Sequence, residues 1–253
     1  MFSFLKNHPF AVEAFFENST VLSFAVPKEA LQRFIPECLE LDIFADKFAF
    51  IAVAMVKTKY LRPKGLPRFF GNNFFLIGYR IFVRYTNSEG KRVRGLYIIR
   101  SETDKKKMEI FGNIFTHYDY ATTDISQSET DAVKVIKSDK SDFFVEIEKT
   151  SGEPNLPKNS PFQNLKEARR FAGPLPFTFT YDETKKEVLI IEGVRENWTP
   201  KPINIRSYKI GLLESFNLKN AVLANAFVIE NVPYHWKKGK IDKWKPKENN
   251  FKA

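Results

Sequence analysis

FFLIGYRIFVRYTNSEGKRVRGLYIIRS (74–101) decides the fold. Two runs rich in β-branched and aromatic residues, Phe74 to Tyr85 and Arg92 to Ser101, flank Thr86-Asn87-Ser88-Glu89-Gly90. The Asn and Gly of that link tolerate the positive φ a hairpin turn needs, so the stretch predicts two antiparallel strands. Working outward, Val12 to Val26 has the same composition around a turn-like Glu17-Asn18-Ser19 and predicts a hairpin. Leu39 to Tyr60 reads as two strands around Ala45-Asp46, the second apolar enough to be buried on both faces. Strands are expected again from His117, Ala132 and Phe143, and over Phe177–Asp182, Glu187–Glu192, Ile203–Glu214 and Ala221–Val232.

Helical signals are few and short. PKEALQRFIP (27–36) opens with Pro at the first helical position and closes at Pro36. Thr103 to Phe115 has a capping candidate in Thr103 or Asp104 and apolar Met108, Ile110 and Phe111. Gln163 to Phe171 is helical in pattern and stops at Gly173-Pro174, and a helical turn is possible near Phe216-Asn217. The pattern is therefore a β-rich α+β chain, mainly antiparallel, with about three short helices. The Pro-, Asn- and Ser-rich stretch 152–161 is the best internal boundary and is too short to divide 253 residues into two domains.

Composition narrows the class. Apolar residues make up 43 % and phenylalanine alone supplies 26 positions, enough to bury a substantial core. The single cysteine, Cys38, excludes an internal disulfide and multi-thiolate zinc sites, which suits a reducing compartment. No export signal is read at the start and the longest apolar run, Phe48 to Val56, is too short for a membrane helix, so a cytoplasmic protein is expected. Half of the net charge of +10 lies after Trp236, where seven lysines face Asp242 and Glu248. That end, 237–253, reads as a flexible basic tail after a single domain spanning 1–236.

Chemistry is sparse in local motifs. There is no glycine-rich phosphate loop, no serine in a nucleophile elbow and no His-Glu-x-x-His helix, so no cofactor or metal is expected. His117-Tyr118-Asp119-Tyr120 is the densest polar cluster; on a strand it puts His117 with Asp119 on one face and both tyrosines on the other. That is either a tuned imidazole beside a carboxylate or simply a solvent face and a core face. Arg80 and Arg84 share a face of their strand, and an arginine inside a closed sheet needs an anion, either a carboxylate ligand or an internal acid, while a solvated sheet face is an equal reading for either. Glu109 is a helix-surface residue or a pocket carboxylate. Lys105-Lys106-Lys107 points in different directions around a helix and reads as solvated charge rather than a desolvated Schiff-base amine.

VLSFAVPKEALQRFIPECLELDIFADKFAFIAVAMV (21–56), the Arg-containing strand Gly78 to Val83, Gly95-Leu96-Tyr97, Phe115-Thr116-His117-Tyr118 and Val232-Pro233-Tyr234-His235-Trp236 together resemble, in order, the uncharacterised YqjF-like family, domain of unknown function 2071. That family is similar to the acetoacetate decarboxylase superfamily. The resemblance implies a large antiparallel sheet closed or nearly closed into a cone or barrel around a central cavity, with the pocket between 74–101 and 109–120. Glu109 to Thr116 looks like the decarboxylases' Glu-Ile-x-Gly-x-Pro-Lys-Lys: Glu109 and Gly112 match, but the two lysines fall on Phe115 and Thr116, neither of which can form an imine. The expectation is thus a small-molecule cavity on a decarboxylase-like scaffold without the decarboxylase reaction, with Arg80 as anion anchor and Glu109, His117 and Tyr118 as pocket residues. The ligand is a small molecule such as a carboxylate. Nucleic acid and membrane are the less favoured partners, and the alternative is a noncatalytic module that binds either through its lysine tail.

Overall fold

The computed structural model describes residues 3–149, 154–196, 198–218 and 220–246, and the last seven residues of the basic end lie outside these. The described elements run β1 (Val12–Pro27), α1 (Lys28–Gln32), β2 (Glu40–Leu41), β3 (Phe48–Pro63), β4 (Asn72–Thr86), β5 (Arg92–Thr103), α2 (Lys106–Phe115), β6 (Tyr120–Thr122), β7 (Ser126–Glu129) and β8 (Val133–Ser138). They continue through β9 (Phe143–Glu148), α3 (Leu165–Ala172), β10 (Phe177–Asp182), β11 (Glu187–Arg195), β12 (Lys201–Pro202), β13 (Ile205–Ile210), α4 (Gly211–Ser215), β14 (Val222–Trp236) and β15 (Lys240–Lys243).

Eleven strands form one sheet whose path is β12-β14-β1-β3-β4-β5-β10-β11-β15, with β2 on β4 and β6 on β5. A further pairing, Gly193↔Trp236 to Arg195↔Tyr234, joins β11 to β14 and so brings the path back onto itself. Its ladders are antiparallel except β5–β10 and β5–β6. A separate four-stranded sheet runs β13-β9-β8-β7.

The hairpin expected at 74–101 forms as β4 and β5, and its turn is held locally. The Asn87 side chain accepts from the Glu89 and Lys91 amides at 3.2 and 2.8 Å, and Gly90 takes φ +79°. Strand β3 is central, and every residue from Ala49 to Val56 is buried. Its large residues Ile51, Val53 and Met55 join Ile136, Phe143 and Val145 of the smaller sheet in the main core, each burial worth roughly 1.5–3 kcal/mol. Its opposite face carries Ala52 and Ala54, whose small side chains leave space there.

Four expectations change. Val12–Pro27 is one strand, because Glu17-Asn18-Ser19 makes a bulge with a register shift between Phe16 and Asn18 rather than a reversal. Among the described residues the run 203–214 is β13 followed by α4, a fourth α-helix just before the helical turn expected near Phe216-Asn217, the chain turning at Gly211, where an added Cβ would come within 2.9 Å of Asp142. The four-residue strand β7 was not anticipated, its SQSE sequence lacking any apolar alternation. Finally, the basic end contributes β15, which pairs with β11; Asp242 and the following Trp244 are half-buried while Lys240 and Lys243 stay exposed. Asp242 accepts from the Tyr85 hydroxyl at 2.7 Å and the Ser88 amide at 2.9 Å, contacts that a reading of the lysines alone does not foresee.

Candidate functional site

The space opened by Ala52 and Ala54 is a cavity of about 360 Å³, within the size range of small-molecule sites. Its walls come from β1, β3, β4, β5 and β14, closed on one side by α2 and by residues 173–178. Most of the lining is apolar. No Asp, Glu or Lys is among the lining residues, and the charged side chains there are Arg62, Arg80 and Arg195 beside a single histidine, His8.

Arg80 projects from the middle of β4 into this space, where Gly78, two residues earlier on the same face, leaves its guanidinium room: an added Cβ at 78 would lie 3.2 Å from Arg80 Nε. The side chain is partly buried, its Nε fully so, and it lines the cavity. Its Nε has no hydrogen-bond partner, and among the described residues no carboxylate pairs with it. Burial pushes its pKa down, opposed by the phenols of Tyr234, Tyr120 and Tyr118. Those phenols do not neutralise it. Burial raises all three, Tyr118 to about 12, so they stay protonated at neutral pH.

Arg84 gives the contrast. Four residues along the same face, it finds an internal acid: Asp42, fully buried, accepts from Arg84 Nε and Arg94 Nε at 2.5 Å each. The sequence allowed a solvated face, an internal acid or a ligand for either arginine, and the fold gives the acid to Arg84. Arg62 is likewise neutralised, by Glu13 at 2.6 Å.

Of the four expected pocket residues, Arg80 and Tyr118 meet in the cavity. Tyr118 lines it with its hydroxyl 3.0 Å from Thr178 Oγ1. Glu109 does not line it. It lies on the outer side of α2, bonded to Lys106 and to the amide and hydroxyl of Thr122, which hold its carboxyl down at about 2. His117 is exposed, because Tyr118 and Tyr120 take the inward positions on either side of Asp119. Asp119 itself bonds Arg100 at 3.0 Å, so the tuned imidazole–carboxylate pair does not form. Phe115 and Thr116, the positions that match the decarboxylase lysines, both line the cavity, and Lys105, Lys106 and Lys107 are all exposed.

Tyr120, Tyr234, Arg195 and Trp198 also line the cavity. Tyr120 was readable as the face-mate of Tyr118, whereas Arg195 and Trp198 sit in GVRENW (193–198), which carries no local signal. Among the described residues no three His, Cys, Asp or Glu side chains converge as a metal site would require, and no helix is long and apolar enough to cross a membrane.

Several solved structures share this fold. The acetoacetate decarboxylase of Legionella pneumophila aligns over 91 % of this chain and 87 % of its own, at 11 % identity and a TM-score of 0.58. An acetoacetate decarboxylase-like enzyme from Sphingomonas wittichii RW1 aligns over 94 % of both chains at 11 % identity and 0.57. The enduracididine biosynthesis enzyme MppR, with HEPES buffer bound, aligns over 92 % and 87 % at 10 % identity and 0.53. At such identities the likeness establishes the fold alone. No curated protein matches the sequence significantly. A family model does match, over residues 14–233, and the chain belongs to that family, the uncharacterized conserved proteins of DUF2071.

Proposed function

We propose that this protein binds a small carboxylate-bearing molecule in a cavity enclosed by the ring of strands β14-β1-β3-β4-β5-β10-β11, with Arg80 as the anion anchor, and that it forms no imine. One observation carries the reading: a guanidinium with a buried, unpartnered Nε and no carboxylate beside it, lining a cavity with no acidic side chain among its described lining residues. A buried cation without a counter-charge costs several kcal/mol, roughly. That cost is offset when a carboxylate enters and takes charge-assisted hydrogen bonds from it. Tyr118, hydrogen-bonded to Thr178, and Tyr120 supply neutral donors beside the anchor. Glu109 and His117 have no part in this reading.

The chemistry of the decarboxylase-like relatives needs an amine that is neutral near pH 7. Among the described residues no lysine lines the cavity, and Phe115 and Thr116 occupy the matching positions. The lysine-rich end gains no support as a binding arm, since its described part is engaged in strand β15 and Lys237 pairs with Glu192 at 2.8 Å.

Two measurements test the reading. After incubation with acetoacetate and reduction with borohydride, the intact chain keeps its mass; a stoichiometric adduct on one lysine would overturn the imine-free claim. Native mass spectrometry of freshly purified protein is expected to find a small acid retained by the wild type and absent from Arg80→Gln. A ligand held equally by both would remove Arg80 as the anchor.

A further inference from the structure

Among the described residues five buried side-chain polar atoms lack a hydrogen-bond partner, and three of them belong to the cavity lining: Arg80 Nε, Trp198 Nε1 and His8 Nδ1. Arg80 Nε and Trp198 Nε1 are donors only, so the unmet hydrogen-bonding capacity around them calls for acceptors. A second guanidinium stands beside the indole: Arg195 Cζ lies 4.3 Å from the Trp198 ring centroid, and its Nη2 donates to the Pro174 carbonyl at 3.1 Å. No carboxylate pairs with Arg195 among the described residues.

Both unneutralised arginines lie near the Tyr234 phenol. Arg195 is the cross-strand partner of Tyr234, and the Tyr234 phenol feels both Arg195 and Arg80. The Tyr234 ring in turn lies 6.1 Å from Trp198. The cavity therefore holds two cations around one neutral phenol, with apolar Phe16, Val21 and Phe227 also in its wall.

Resting on the reading of Arg80 as anchor, we propose a second anion subsite formed by Arg195 and the Trp198 indole N–H, and a ligand that is a short dicarboxylate with a hydrocarbon body and no ammonium group. One carboxylate lies at Arg80 and the other at Arg195, bridged by a carbon chain short enough to pass Tyr234. Two guanidiniums without internal acids, facing one cavity, draw two negative charges, because a carboxylate takes charge-assisted hydrogen bonds from each. An amino acid is disfavoured by the same ledger of charges: its ammonium would meet two guanidiniums and no carboxylate.

Isothermal titration with the dicarboxylates from succinate to suberate, the matching monocarboxylates from butanoate to octanoate, and glutamate tests this. The best dicarboxylate is expected to bind about tenfold or more tightly than the monocarboxylate of equal length, as one added charged hydrogen bond implies. Glutamate should bind more weakly than glutarate. Arg195→Gln and Trp198→Phe should each lower the diacid-to-monoacid affinity ratio, and Arg80→Gln should weaken both classes. If diacids and monoacids bind alike, and both depend on Arg80, the second subsite falls and the anchor stands. If no acid in either series binds, the anchor reading falls and takes the second subsite with it.

Discussion

Replacing Arg80 with methionine should make the empty protein more stable and the liganded protein less so. Met is close to Arg in length and removes the charge that the fold leaves unpaired against Gly78 and the three phenols. Exchanging buried ionic groups for apolar ones of similar size has been worth about 1–4 kcal/mol. The Arg80 guanidinium faces a cavity that water can enter, which places the expected gain at the low end, about 1–2 kcal/mol. In a chain of this length each kcal/mol moves Tm by about 2–4 °C, so empty Arg80→Met should melt about 2–8 °C above the wild type. Saturation reverses the order: at a hundredfold excess over Kd a ligand stabilises the wild type by about 2.7 kcal/mol, and the variant gains nothing. The assay is thermal unfolding with and without the tightest acid of the two series, at constant ionic strength, with chloride as the anion control. A variant that keeps its circular dichroism but melts below the empty wild type would refute the unpaired-charge argument. An equal ligand shift in both proteins would refute the anchor.

Three further outcomes are expected. Asp42→Ala strands Arg84 and Arg94 without their shared acid; because both guanidiniums keep about a third of their surface in solvent, the loss should be about 2–3 kcal/mol rather than the full cost of a buried pair, read as a drop of about 4–12 °C in Tm. Gly112→Ala adds a Cβ 2.3 Å from the Tyr120 ring; helix propensity alone would favour Ala by about 1 kcal/mol, so a net loss in denaturant unfolding identifies the contact, and a net gain would refute it. Burial raises Glu102 above its ordinary 4.5, so from there up to its raised value the folded state binds more protons than the unfolded one and this group's contribution to stability falls as pH rises. Glu102→Gln should therefore gain stability relative to the wild type between pH 4.5 and neutrality in urea titrations, and parallel curves would count against the shift.

Much of the fold was legible because the strands carry their own signals. The hairpin at 74–101, the buried run of β3, and the helices opening after Pro27 and Asn164 all follow from local alternation, capping and turn chemistry. Errors came where a short polar triplet admits two geometries, as at Glu17-Asn18-Ser19, or where a few half-buried residues are outnumbered by lysines, as in β15. The sequence also decided that no imine-forming lysine occupies positions 115 and 116, since residue identity needs no coordinates. Which arginine is neutralised was not decidable from the chain. Arg80 and Arg84 are four residues apart on one face, and only the three-dimensional approach of Asp42, from a segment some forty residues earlier, satisfies one and leaves the other. The same holds for Glu109 and His117, whose inward or outward direction depends on how α2 and the segment after it dock on the sheet. It holds again for Arg195 and Trp198, which reach the cavity because β11 pairs with β14. Local pattern fixes which face a side chain takes on its own element; whether that face meets solvent, a counter-charge or an empty cavity is set by contacts between elements far apart in the chain.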